Sequence, residues 1–207
     1  MRLQPVPYNA GVGPVVSMRV LARGAVRYSP DQQRRHSLRP HGYDYAQAGA
    51  YFVTIYTQDR ECLLGEVSAN GTLDLNPAGR MVLNAWEVLP EHYPDTDVDA
   101  FVVMPNHLHG IVVPCPEDAA QVQWAGTCRL SLVDVVQRLK SLTTARYRHG
   151  VVNDGWPPFN GRLWQRSFYE RIVRNEQELK AIREYVELNP ASWSADRENP
   201  ALFVRRP

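Results

Sequence analysis

The sequence predicts an α+β fold of the ferredoxin-like, split βαβ kind, an antiparallel sheet with helices packed on one face. Two observations predict it. The patterned segments run strand, helix, strand, strand, helix, strand, helix. Each helical segment carries an apolar stripe at helical spacing, and each strand segment is short and bounded by turn residues.

Residues 49–57 are rich in β-branched and aromatic types and read as the first strand. Asp59-Arg60-Glu61 turns the chain, and Asn70-Gly71 is a hairpin signal between residues 64–67 and 72–75. Asn76-Pro77 opens a helix, with Asn as cap and Pro at the first position. Met81, Val82, Ala85, Trp86 and Leu89 form its stripe. Residues 97–104 and 108–113 are two strands joined through Pro105-Asn106. Residues 116–125 read as a loop. A second helix covers 130–149, with Leu132, Val135, Val136, Leu139 and Leu142 on one side and Arg138, Arg146 and Arg148 on another. Residues 163–173 contain a further strand. Asn175, with Glu178 three residues on, caps a third helix. Pro190 is expected to end it, because the residue before proline is pushed out of the helical region.

The chain has 207 residues, 44% hydrophobic and 22% charged, an ordinary globular composition. Collagen, coiled coil and global disorder are thereby excluded. The length suits one domain with extensions and a core that needs no disulfide or metal staple. No apolar run approaches the roughly 18 residues of a membrane span. Cys62, Cys115 and Cys128 lie far apart with no CxxC, against a disulfide scaffold or a cysteine zinc site. There is no GxGxxG or Walker A loop, so nothing points to a nucleotide cofactor. No signal peptide is read, and a cytoplasmic protein is expected.

A net charge of +1 conceals a strong asymmetry. Residues 1–42 hold seven arginines against one acid, 43–118 two arginines against twelve acids, and 119–207 fourteen basic residues against nine acids. A basic arm and a basic C-terminal half could hold an anionic polymer. Residues 1–33 read as a basic, disordered arm or an over-extended start, with Met18 the alternative beginning. Residues 34–200 read as one domain and 201–207 as a basic tail.

Two pieces carry chemistry. His107-Leu108-His109 opens a strand, so both imidazoles point to one face, a natural pair of divalent-metal ligands. Two partly exposed histidines beside a turn is the bland alternative. Tyr185 and Asn189 are four apart on a helix, hence neighbours. The Asn oxygen is a hard ligand suited to Mg2+ or Mn2+, and the tyrosine is a candidate nucleophile. A core aromatic and a helix C-cap are their ordinary uses. Joined, the pieces describe a phosphoryl-transfer site: His, His and Asn hold one cation, and Tyr185 stands at its edge.

Met104-Pro105-Asn106-His107-Leu108-His109-Gly110 resembles the HUH motif of single-tyrosine transposases. Leu163-Trp164-Gln165-Arg166-Ser167-Phe168-Tyr169-Glu170, followed by Tyr185-x-x-x-Asn189-Pro190, resembles the REP-associated tyrosine transposases within that family. So do Arg34-Arg35-x-x-x-Arg39, Gly42-Tyr43-Asp44-Tyr45 and Gly49-Ala-Tyr-Phe-Val-Thr54. The similarity spans about 34–200. It implies a ferredoxin-like catalytic domain, usually dimeric though a monomer is compatible, that cleaves single-stranded DNA near a small palindromic hairpin. It implies that Tyr185 attacks a phosphodiester and keeps the 5′ phosphate, freeing a 3′ hydroxyl. His107 and His109 map onto the paired metal ligands. Asn189 maps onto a third, where relatives more often carry Gln.

Tyr169 is the rival nucleophile, in a basic, aromatic stretch. Trp164 and Phe168 read equally as sheet core and as a base-stacking platform, with Arg166 and Arg171 nearby for phosphates. Arg60 reads as a DNA contact or a solvated loop residue. Arg34, Arg35 and Arg39 are expected to track a hairpin backbone. A hairpin-binding module without cleavage is the alternative function, and a zinc hydrolase built on His107 and His109 a weaker one.

Overall fold

Side-chain alternation along the first strand separates two layers. In β1 (Ala50–Tyr56), Tyr51, Val53 and Ile55 join one apolar cluster, while Phe52 joins another on the opposite face. The computed structural model describes residues 49–94, 96–114 and 130–202. After β1 come a 3-10 turn (Gln58–Arg60) and the hairpin β2 (Gly65–Val67) and β3 (Leu73–Leu75). Then follow α1 (Pro77–Glu87), the short α2 (Leu89–His92), β4 (Thr96–Met104) and β5 (His107–Pro114). The remainder is α3 (Leu132–Asn153), β6 (Tyr169–Val173) and α4 (Glu176–Ser192).

The main sheet has the order β4-β5-β1-β6, and every neighbouring pair is antiparallel. Omitting the small β2–β3 hairpin, that order is fourth, first, third, second reversed, the split βαβ arrangement expected. The fold is α+β. Val82, Ala85 and Trp86 of α1 and Leu132, Val135, Val136 and Leu139 of α3 cover the Tyr51–Val53–Ile55 face.

The expected one-face packing holds for α1 and α3 and not for α4. Leu179, Ile182 and Val186 of α4 pack on Phe52 and Ile111, on the other face. A strand buried on both sides reads as a continuous apolar run, and β1 is buried from Tyr51 to Tyr56. Two side-chain pairings fasten α4 there. Arg183 Nε donates to Asp99 Oδ1 at 3.0 Å, and Arg171 of β6 pairs with Glu178.

Asn76 caps α1 by accepting from the Gly79 N–H at 2.9 Å, as expected. α3 begins two residues later and ends four later than expected. Its start is a capping box, in which Ser131 accepts from Asp134 N and Asp134 accepts from Ser131 N. Asn175 accepts from Glu178 N at 2.9 Å to open α4. Pro190 does not end that helix, which runs on to Ser192. Pro190 lies in the last turn, two residues before the end of the helix, and Asn189 before it is buried. Among the described residues, no helix is long and apolar enough to cross a membrane.

Candidate active site

β5 begins at His107 because Met104 pairs directly with it across the two-residue turn Pro105-Asn106. That turn is held from outside: Leu64 N donates to Pro105 O at 3.0 Å and Thr57 N to Asn106 O at 2.9 Å. On β1, Tyr56 stands opposite His107 and Thr54 opposite His109. Both imidazoles therefore lie on the face that carries Thr54, Tyr56 and Phe52, with Leu108 in the core behind. Their ring centroids are 4.5 Å apart, and neither ring is more than 2% exposed.

Each ring is held at Nδ1. His109 Nδ1 bonds Thr54 Oγ1 at 2.8 Å, and His107 Nδ1 bonds Asn106 Oδ1 at 2.8 Å. Phe52 stacks on His109, with centroids 5.4 Å apart. Both Nε2 atoms are thus left for other work. The Tyr185 hydroxyl lies 3.2 Å from His109 Nε2. His107 Nε2 and Asn189 Oδ1 are buried and without a hydrogen-bond partner among the described residues. Burial, together with neighbouring His109 and Arg60, holds His107 well below the ordinary imidazole pKa, and burial brings His109 down to about 3. Both are neutral at physiological pH, the state a metal ligand requires. Burial pushes the Tyr56 hydroxyl up, so it stays protonated beside His107.

Behind the histidines, Gly110 lets α1 close on the strand. A Cβ there would lie 2.3 Å from Trp86 Cζ2. Trp86 in turn stacks on Phe101 of β4, with centroids 5.7 Å apart.

The structure brings together His107, His109 and Tyr185; Asn189 stands four residues past Tyr185 on α4, with its Oδ1 buried. Tyr169 lies on the edge strand β6, half-exposed, with its ring edge-on to Tyr56 at 5.8 Å. Of the two readings of Trp164, its burial agrees with core. It is 5% exposed, and its indole N–H donates to Thr143 Oγ1 at 2.8 Å. Its neighbour Leu163 and nearby Phe168 join the same cluster. Arg60 is more than a solvated loop residue: its guanidinium sits 4.7 Å over the Tyr56 ring and pairs with Glu198. Arg166 is exposed on the loop before β6, where Lys140 donates to the flanking Gln165 and Ser167 carbonyls at 3.0 Å. Arg171 pairs with Glu178 at the start of α4. Arg34, Arg35 and Arg39 lie outside the described residues, as do Cys115 and Cys128.

Thr54, Asn106 and Glu198 were not singled out from sequence. Thr54 and Tyr56 carry the two-residue period of the histidines, a signal that needs the strand register to be used. Asn106 reads as a turn residue. Nothing local marks Glu198.

A Haemophilus influenzae protein described only as uncharacterized is 36% identical over 182 residues, spanning 83% of this chain and 96% of its own length. A second protein of that organism, described as "Putative REP-associated tyrosine transposase", is 25% identical over 151 residues, or 71% of this chain and 73% of its own. Over most of its length the chain is thus similar to a protein described as a REP-associated tyrosine transposase. A solved structure described as a REP-associated tyrosine transposase bound to a REP hairpin is similar at 18% identity, with a TM-score of 0.49, over 72% of this chain and 71% of that one. No family model matches the chain. His109 and the α4 tyrosine that meets it come from segments 76 residues apart.

Proposed function

We propose that this protein cuts and rejoins single-stranded DNA at a palindromic hairpin, with Tyr185 as the nucleophile and a divalent cation at His107, His109 and Asn189. One observation carries the reading. The Tyr185 hydroxyl meets His109 Nε2 at 3.2 Å, while His107 Nε2 and Asn189 Oδ1 are buried without partners among the described residues. A buried polar atom left unpaired costs about 1–3 kcal/mol. A shared cation would offset that cost at both atoms. Two neutral imidazole nitrogens can ligate a divalent metal, and the amide oxygen is the hard ligand that suits Mg2+ or Mn2+. When bound, such an ion supplies Lewis-acid stabilisation of charge on a phosphate oxygen.

The chain's own residues do the rest. The Tyr185 oxygen attacks phosphorus, and the bond to the 3′ oxygen breaks as the new O–P bond forms. The phenolic proton leaves to water, and the 3′ oxygen takes a proton from water. In the reverse step a 3′ hydroxyl attacks the phosphotyrosine and reseals the strand. The bond energy is retained throughout, so no ATP is needed. Thr54 and Asn106 hold the imidazoles in place, and the Arg183–Asp99 and Arg171–Glu178 pairs hold α4 and its tyrosine against the sheet. Tyr185 is half-buried, which leaves it reachable by a strand. In this reading Arg60 and exposed Arg166 contact phosphates of the bound strand. The hairpin substrate comes from the family resemblance.

A denaturing gel tests this. Labelled hairpin-bearing single strands with Mg2+ or Mn2+ should give a protein-linked DNA band that is absent with EDTA or with Tyr185→Phe. A native-gel complex with no covalent band would overturn cleavage and establish a hairpin-binding module instead.

A further inference from the structure

The Asn106 side chain is fully buried in the turn that precedes the histidines. Its amide nitrogen donates to Arg60 O at 3.0 Å and to Glu198 O at 2.7 Å. Carbonyl oxygens only accept, so the amide must present its nitrogen to them and its oxygen to the other side. That oxygen lies 2.8 Å from His107 Nδ1. An amide oxygen also only accepts, so Nδ1 carries the hydrogen. A neutral imidazole has one N–H. Nε2 is therefore a bare lone pair, and it is the ring nitrogen that lacks a partner among the described residues.

From this chain of donors and acceptors we infer that Asn106 is a positioning residue that selects the Nδ1–H tautomer of His107 and so presents its Nε2 lone pair to the site. Histidine free in water favours the other tautomer, so the protein must impose this one. The imposition comes from three segments at once. Arg60 belongs to the turn after β1, where its backbone is left-handed at φ 56°. Asn106 sits in the β4–β5 turn, and Glu198 follows α4. Outer partners of this kind fix ligand orientation and tautomer at metal sites. The consequence for metal binding rests on the reading of His107 as a ligand; the tautomer assignment does not.

The experiment is nitrogen-15 NMR of the histidine rings in the metal-free, full-length protein at pH 7.5. Wild type should show His107 protonated at Nδ1 and bare at Nε2. Asn106→Ala should lose that preference. Asn106→Asp should keep it, because a carboxylate also only accepts, although it donates to neither Arg60 nor Glu198. A purely structural bridging role would be lost equally in both variants. An Nε2–H form in wild type, a full Nδ1–H form in Asn106→Ala, or equal behaviour of the two variants would each overturn the inference. Should Asn106→Ala fail to fold, the wild type and Asn106→Asp still decide it. Calorimetric titration with Mn2+ adds a second readout, with affinity expected to fall about 10–100-fold in Asn106→Ala. Wild type showing the Nδ1–H form without binding Mn2+ would support the tautomer inference and overturn the metal reading.

Discussion

The Tyr185 hydroxyl lies 3.2 Å from His109 Nε2, across 76 residues of chain. The contact joins a helix on one side of the sheet to the strand beneath it. It also places the phenol oxygen at one of the two nitrogens that would ligate a cation. Removing the hydroxyl should therefore stop chemistry without disturbing the fold. Tyr185→Phe is expected to abolish the covalent DNA product while leaving hairpin affinity and melting temperature near wild type. Tyr169→Phe, on the exposed edge strand, should keep the product. Denaturing gels and thermal melts of the two variants check this, and a product retained in Tyr185→Phe would end the assignment.

Asn189 supplies a buried oxygen with no partner among the described residues. Asn189→Ala should weaken Mn2+ binding at least about tenfold, a loss comparable to that from removing an outer-shell partner of a metal ligand. Asn189→Asp, which keeps an oxygen there, should retain binding at neutral pH. Titration calorimetry of the three proteins reads the difference. Equal affinity in Asn189→Ala and wild type would remove Asn189 from the ligand set.

Acid should destabilise the metal-free protein through the histidine pair. Burial lowers His107 well below its ordinary pKa and His109 to about 3. The unfolded chain, with histidines near 6.5, binds more protons as pH falls. Stability from this source is thus present above about pH 6.5 and is lost as pH drops toward about 3. The slope is roughly 1 kcal/mol per pH unit for each histidine. Urea unfolding at pH 7.5, 6.5 and 5.5 should show it, and His107→Gln/His109→Gln should flatten it. An equal slope in that double variant would assign the effect elsewhere.

Trp164 is a core residue, so its loss should register as stability and not as DNA affinity. Trp164→Ala should cost about 3–5 kcal/mol, with the hydrogen bond to Thr143 Oγ1 lost as well. Arg166→Ala should lower DNA affinity with little change in melting temperature. Hairpin binding by the folded fraction of Trp164→Ala below its melting point separates the two effects. Reduced affinity there would restore the stacking role.

Gly110 is required by Trp86. Its Cβ would sit 2.3 Å from Trp86 Cζ2, so Gly110→Ala should cost about 1–3 kcal/mol by overpacking. Adding Trp86→Phe should return part of that loss, because the smaller ring makes room. Denaturant titration of the single and double variants tests the coupling, and strict additivity would refute it.

The local signals were enough for most of the elements and for the pairing of candidate residues within each element. Asn76-Pro77 and Asn175 cap helices where they stand, since a cap needs only a residue and the backbone beside it. His107 and His109 share a face because strand side chains alternate, and Tyr185 and Asn189 share one because a helix turns every 3.6 residues. The side of the sheet that α4 covers is not local. It follows from Phe52 and Ile111 offering a second apolar face and from Asp99 and Arg171 pairing with the helix. Pro190 reads as a stop, yet the helix runs past it to Ser192. Trp164 reads equally as core or platform, because an aromatic ring suits both, and only the Thr143 acceptor and the α3 surface decide. The network that orients His107 draws on Arg60, Asn106 and Glu198, separated by up to 92 residues between partners. Chain patterns report what neighbours do to one residue. Hydrogen-bond partners brought in from distant segments exist only once the chain has folded.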